Sequence, residues 1–138
     1  MTQTTSSQPS RIVIVGASLA GASAAIALRE QGYQGQLTLI GEESQLPYER
    51  PPLSKAVLLG NTDEPDWVGD EATYADRNIS LRLGTMATRI DRTRKVVVAS
   101  RTEYPYDKLL IATGSAPRRL DIPGADLEGL LTLRTLEE

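Results

Sequence analysis

Residues 11–40 dictate most of what this chain can become. Arg11 to Val15 reads R-I-V-I-V and ends at Gly16, the pattern of a strand buried on both faces. Ser18 to Gln31 follows as an alanine-rich stretch with Arg29 near its end and Gly32 as a stop, all of them helix signals. Gln36 to Ile40, Q-L-T-L-I, is a second buried strand. Strand, glycine turn, small-residue helix and strand within about 30 residues make one βαβ unit. Such units build parallel sheets with helices on their faces, so the expected fold is α/β with a Rossmann-like parallel sheet.

The rest of the chain fills in that plan. Leu46 to Pro52 is rich in proline, and Leu53 to Leu59 reads as a short helix that starts after Pro52 and stops at Gly60. Asn61 to Asp70 is acidic and turn-rich, and Glu71 to Arg77 is weakly helical. Ile79 to Leu83, Met86 to Ile90 and Lys95 to Ala99 read as short strands, giving a small antiparallel β excursion. Lys108 to Ala112 is another buried strand, closed by Thr113 and Gly114. Leu130 to Arg134 is apolar enough for one more short strand.

Composition removes whole classes of chemistry. The 138 residues contain no Cys and no His, which excludes disulfides, thiolate nucleophiles, His-based triads and Cys- or His-ligated metals; no metal site is expected. Fifteen Lys and Arg against eighteen Asp and Glu give a net charge of −3. Nothing there argues for nucleic acid or an anionic membrane as partner. No apolar run approaches the roughly 20 residues needed to span a bilayer. Met1 to Ser10 is polar, lacks a secretory apolar core and is expected to be a frayed tail of a cytoplasmic protein. The reaction chemistry is therefore expected from a bound cofactor.

Gly16-Ala17-Ser18-Leu19-Ala20-Gly21 stands where the first strand becomes the first helix, the context a dinucleotide fingerprint requires. Gly16 permits the tight turn, Gly21 lets helix and strand pack closely, and the helix N-terminus offers free N–H groups to phosphates. Ser18 departs from the usual middle glycine. Glu42 lies 21 residues beyond Gly21, where a carboxylate accepts hydrogen bonds from a ribose. Its neighbour Glu43 competes for that role by register. The plain alternative is an ordinary strand–helix turn with a solvated Glu.

The segment P-Y-E-R-P-P-L-S-K, Pro47 to Lys55, resists a bland reading, because a lysine in a helix's first turn opposes the dipole. With Ile14 to Gly21, Leu109 to Gly114, Ile122 to Ala125 and Leu133 to Glu137, it resembles the amino-terminal part of FAD-dependent, NAD(P)H-using ferredoxin reductases. These belong to the pyridine nucleotide-disulfide oxidoreductase superfamily, of ferredoxin/putidaredoxin reductase type. The resemblance runs over nearly the whole chain, and the proline segment is its most specific part.

The resemblance implies the following roles. Gly16, Ser18, Leu19, Ala20 and Gly21 line the FAD pyrophosphate, and Glu42 (or Glu43) holds the adenosine ribose. Arg50 reaches the phosphate and ribityl side, Lys55 lies at the flavin's reactive edge as the catalytic candidate, and Ala87 meets the adenine through its backbone. Ala112, Thr113 and Gly114 end the sheet strand beside the cofactor, and Arg134 contacts FAD. It further implies hydride transfer from NAD(P)H to FAD and single-electron transfer onward to a ferredoxin-type iron–sulfur partner. Without cysteine, no protein disulfide intervenes.

The expected organisation is a tail at 1–10, a first segment of an FAD-binding domain at 11–115, and a connecting segment at 116–138 toward a missing NAD(P)H domain. A chain of that kind exposes an apolar patch where further elements pack. Two other functions fit the same residues: a non-catalytic, truncated nucleotide-binding module, or another flavin NADH oxidase or reductase of the same fold group.

Overall fold

A computed structural model describes residues 8–138. Most of the expected tail, residues 1–7, lies outside the described residues.

Four parallel strands form the main sheet. They are β1 (Arg11–Val15), β2 (Gln36–Ile40), β3 (Ile79–Arg82) and β7 (Lys108–Ile111), in the order β3-β2-β1-β7. A second, antiparallel sheet is built from β4 (Ala87–Asp91), β5 (Val96–Ala99) and β6 (Thr102–Pro105). The expected α/β architecture with its antiparallel excursion is what the chain adopts.

Both faces of β1 are covered, as its unbroken β-branched run requires. On one face Ile12 and Ile14 pack with Leu37 and Leu39 of β2 against Ala22 and Ala25 of α1 (Leu19–Glu30). On the other, Val13, Val15 and Ile40 pack against Val97, Ala99 and Tyr106, so the excursion lies over the second face. Small side chains on α1 let it sit close to the sheet. The helix stops in a Schellman motif: Gly32 takes φ +86°, its N–H reaches the Arg29 carbonyl, and the Tyr33 N–H reaches the Leu28 carbonyl. Arg29 then ties the helix end to the start of β3 by donating to the Tyr33 and Asn78 carbonyls at 2.6 and 2.8 Å.

The second helix, α2 (Glu71–Asp76), is short, and its ends explain why it forms. Asp70 accepts the Thr73 N–H at 2.8 Å while the Thr73 hydroxyl faces the Asp70 N–H, a closed capping box. Tyr74 anchors it, 1% exposed, with its hydroxyl donating to the Val68 carbonyl at 2.7 Å. Burial pushes this phenol up to about 12. The unfolded chain ionises it near 10, so the stabilisation is complete below pH 10 and is lost as pH rises toward 12. Urea unfolding of the wild type is expected to show falling stability across that window, and Tyr74→Phe to remove much of that slope.

Two expectations about local structure are corrected, and one strand was missed. Leu53 to Leu59 is not an α-helix: Pro51–Ser54 is a 3-10 turn, followed by irregular turns. Their hydrogen bonds include a five-residue reach from Val57 N–H to the Pro52 carbonyl. Leu58 and Leu59 are 68% and 73% exposed, so no packed face rewards a regular helix. Leu130 to Arg134 is not a strand: it is paired with neither sheet, and Leu131 is 86% exposed. Conversely, β6 was not legible. Its residues T-E-Y-P are mostly exposed, and the strand exists because buried β5 needs a ladder on its second side. Arg94, on the turn between β4 and β5, grips Glu103 with both Nη nitrogens at 2.7–2.8 Å.

β7, expected as a buried strand, is instead an edge strand with Leu110 and Ile111 exposed, and Leu120, Ile122, Leu127 and Leu130 are exposed after it. The expected apolar exposure is therefore found along this edge and the segment that follows.

Candidate functional site

The carboxyl ends of β1, β2 and β7 and the start of β4 converge on one cleft. Three adjoining concavities share the walls Arg50 and Thr113. The first is bounded by Gly16, Ser18, Gly41, Glu42, Met86 and Ala87. The last is bounded by Leu19, Ala20, Gly114 and Arg134. A crevice at the carboxyl end of a parallel sheet is where ligands of open α/β folds bind.

The two glycines of the turn are there for space. Gly16 takes φ +112°, and a Cβ on it would stand 2.2 Å from the Ala112 carbonyl oxygen. The turn therefore rides directly on the end of β7. A Cβ on Gly21 would stand 1.9 Å from the Gly16 carbonyl oxygen, so that glycine supports the turn from behind rather than lining the cleft. Ser18 is extended (φ −122°), a conformation that needs no glycine. Its hydroxyl does not cap the helix; it donates to the Tyr48 carbonyl at 3.3 Å, pinning the proline segment to the turn. The first intrahelical bond runs from Ala22 N–H to the Ser18 carbonyl. The N–H groups before it are free for an anion, and the first turn of α1 carries no acidic side chain to oppose one.

Glu42 and Glu43 part company. Glu42 is exposed on the cleft wall and, among the described residues, has no hydrogen-bond or ionic partner. Glu43 is committed inward: it accepts the Tyr48 hydroxyl and pairs with Arg50. The structure thus leaves one carboxylate free at the end of β2, in the register the spacing favoured.

Arg50 borders all of the concavities just described. One Nη bonds Glu43, the other the Arg134 carbonyl, and its buried Nε has no partner among the described residues. Arg134 lies across Gly114, whose φ is +71°; a Cβ there would stand 2.8 Å from an Arg134 Nη. Lys55, like Gly21, is a candidate that the structure does not bring to the cleft. It is exposed at the end of the 3-10 turn, although Pro51 and Ser54 of that turn border neighbouring hollows.

Sequence reasoning passed over Ala17, Gly41, Thr85 and Met86, all on the cleft wall. Gly41 was detectable as a glycine closing a buried strand; a Cβ there would meet the Ala17 Cβ at 2.5 Å. Thr85 carried no signal. It arrives because its N–H bonds the Gly41 carbonyl at 2.7 Å, lacing the start of the excursion to the end of β2. The donor set suits FAD: free helix N–H groups and a guanidinium for a pyrophosphate, a free carboxylate for a ribose, and glycines wherever a side chain would intrude. No cluster of acidic residues among the described residues could hold a metal ion, and no described helix is long and apolar enough to cross a membrane.

Known proteins are similar to this chain. The chain is 47% identical over 129 residues to a rubredoxin-NAD(+) reductase of Pseudomonas putida, covering 92% of this chain and 34% of that protein. It is 44% identical over 128 residues to the ferredoxin–NAD(+) reductase component of the biphenyl dioxygenase system of Paraburkholderia xenovorans, covering 92% and 31%. The solved structure of a ferredoxin reductase from Rhodopseudomonas palustris superposes with a TM-score of 0.85 at 38% identity, over 94% of this chain and 32% of that one. The chain thus spans about a third of the length of the relatives it matches. The profile of the pyridine nucleotide-disulphide oxidoreductases matches residues 10–138, and the chain belongs to that family.

Proposed function

We propose that this chain is the first FAD-binding segment of a flavoprotein that passes electrons from NAD(P)H through FAD to a ferredoxin-type iron–sulfur protein. The observation that carries it is the single cleft bearing α1's free N–H groups, Arg50 and the unpaired Glu42. Relatives named as ferredoxin–NAD(+) and rubredoxin-NAD(+) reductases support the donor and the class of acceptor. FAD, when bound, supplies the hydride-accepting and one-electron chemistry. The chain's own residues bind and orient it. The Gly16 turn and Arg50 take the pyrophosphate, Glu42 the ribose, the Ala87 backbone the adenine, and Thr113, Gly114 and Arg134 the side toward β7. Residues 11–115 are the FAD-binding unit and 116–138 the connection toward an NAD(P)H-binding part. A donor drawn from the NAD(P)H pool places the activity in the cytosol.

Titration of the chain with FAD tests the reading, with flavin fluorescence as the signal: saturable binding supports it, and no binding overturns it. The carboxylates give a sharper check. Glu42→Ala is expected to weaken FAD about tenfold, the worth of one exposed charge-assisted hydrogen bond, with the melting temperature unchanged. Glu43→Ala is expected to lower the melting temperature, because it releases Arg50 and Tyr48. Equal affinity losses with equal melting temperatures would assign the ribose to neither.

Lys55 acts on the flavin through its charge in this reading, supported by the placement of its turn beside the cleft. An ammonium near the ring favours the electron-rich reduced form. In the intact reductase, Lys55→Met is expected to lower the flavin midpoint by roughly 20–30 mV, the scale of a solvent-screened charge. An unchanged midpoint removes Lys55 from the flavin.

A further inference from the structure

Tyr48 belongs to the proline segment but lines none of the concavities that form the cleft. It is 3% exposed, behind the cleft wall. Its ring is held edge-on by Trp67, with centroids 6.1 Å apart and planes at 81°. An isolated antiparallel bridge between Tyr48 and Trp67 fixes the backbone beneath. What this rigid mounting presents is one phenol oxygen with every hydrogen-bonding site occupied. It donates to Glu43. It accepts the Leu136 N–H at 2.9 Å and an Arg50 Nη at 3.5 Å. One donor and two acceptor positions are all that a phenol has.

Those three partners reach both arginines on the cleft wall. Glu43 and the phenol together orient the Arg50 guanidinium, which also stacks over the Tyr48 ring at 5.5 Å. Leu136 is two residues beyond Arg134, whose carbonyl Arg50 holds from the other side. Gln45 adds a third tie to this strap, residues 134–137, by donating to Glu137 at 3.2 Å. We propose that Tyr48 is a positioning residue for the cleft: its buried phenol oxygen locks Glu43, Arg50 and the Leu136 backbone into one unit, setting Arg50 and Arg134 where an FAD pyrophosphate lies. The proposal rests on the FAD reading above. Burial, reinforced by the bond to Glu43, raises the phenol's ionisation above its ordinary range, so the hydroxyl remains a donor through neutral pH.

Tyr48→Phe in the full chain tests this, since it keeps the ring on Trp67 and removes only the oxygen. Two readouts are taken. Amide exchange at Leu136 is expected to speed up with no change in the α1 core, because its acceptor is gone. FAD affinity is expected to fall about tenfold, the scale of one lost orienting hydrogen bond. Combined with Arg50→Met, Tyr48→Phe is expected to cost less than it does alone, because much of its effect runs through that arginine and only the tie to Leu136 remains to be lost. Unchanged exchange at Leu136 overturns the proposal, as does faster exchange with wild-type FAD affinity, or a loss that simply adds to that of Arg50→Met. A wild-type chain that takes up no FAD overturns the reading of the cleft, and the proposal with it. The two failures are thus read from different proteins.

Discussion

Gly21→Ala is expected to unfold much of the chain's stability, at a position where helix propensity alone forecasts a gain. Alanine in a helix interior is favoured over glycine by about 1 kcal/mol. Here the added methyl would stand 1.9 Å from the Gly16 carbonyl oxygen, 3.1 Å from its carbon and 3.3 Å from the Ile14 Cγ2. Two of those three atoms are backbone of the turn and cannot swing aside. The helix must lift from β1, opening the Ile14–Ala22–Ala25 layer, and the N–H groups of its first turn move with it. A loss of roughly 3 kcal/mol or more follows, at the upper end of overpacking costs. Gly32→Ala is the control: its φ is +86°, but nothing lies within 4 Å of its Cβ position. It should cost only the left-handed backbone penalty of about 1–2 kcal/mol. Urea unfolding of both variants measures the difference. Gly21→Ala as stable as Gly32→Ala would contradict the close approach of α1 to the Gly16 turn.

Arg50→Met is expected to weaken FAD about a hundredfold, corresponding to roughly 3 kcal/mol. The guanidinium does three things from one place. It presents positive charge on the cleft wall, it neutralises Glu43, and it holds the Arg134 carbonyl. Its removal leaves Glu43 as an uncompensated anion beside the phosphates and lets the strap drift. Arg50→Lys restores the charge but not the fork, because one ammonium cannot span Glu43 and the Arg134 carbonyl while facing the ligand. Recovery should be partial. Full recovery in Arg50→Lys would reduce the residue to a point charge, and an unchanged affinity in Arg50→Met would remove it from the site.

What could be read from the sequence follows from which forces are local. β1, α1 and β2 were legible because a β-branched run, an alanine-rich stretch and a glycine stop each speak through their own residues. Glu42 was singled out by its distance along the chain, and the structure separates it from Glu43 by giving Glu43 two partners that no spacing rule announces. β6 was hidden because its reason for existing is the unpaired side of β5. The short helix expected after Pro52 failed for the converse reason: good local punctuation, but no surface for Leu58 and Leu59 to pack on. Lys55 was singled out by the string around it, and the fold alone leaves it in solvent. Tyr48 was quoted as part of that string, but its hydroxyl's work depends on Leu136, 88 residues away.

The central strand β1 pairs with β2 on one side and with β7 on the other. Arg11 meets Asp107 across the second junction, 96 positions along the chain. A ribosome delivers these edges at different times. The β1–β2–β3 half can assemble once β3 has emerged, and its R-I-V-I-V edge then waits unsatisfied until β7 is made. Pairings of such long separation close slowly, and an apolar edge kept waiting is a template for pairing with another nascent chain. The same long-range junction that brings Ala112 against Gly16 therefore makes the interval between β3 and β7 the period in synthesis when this chain most needs protection from its own neighbours.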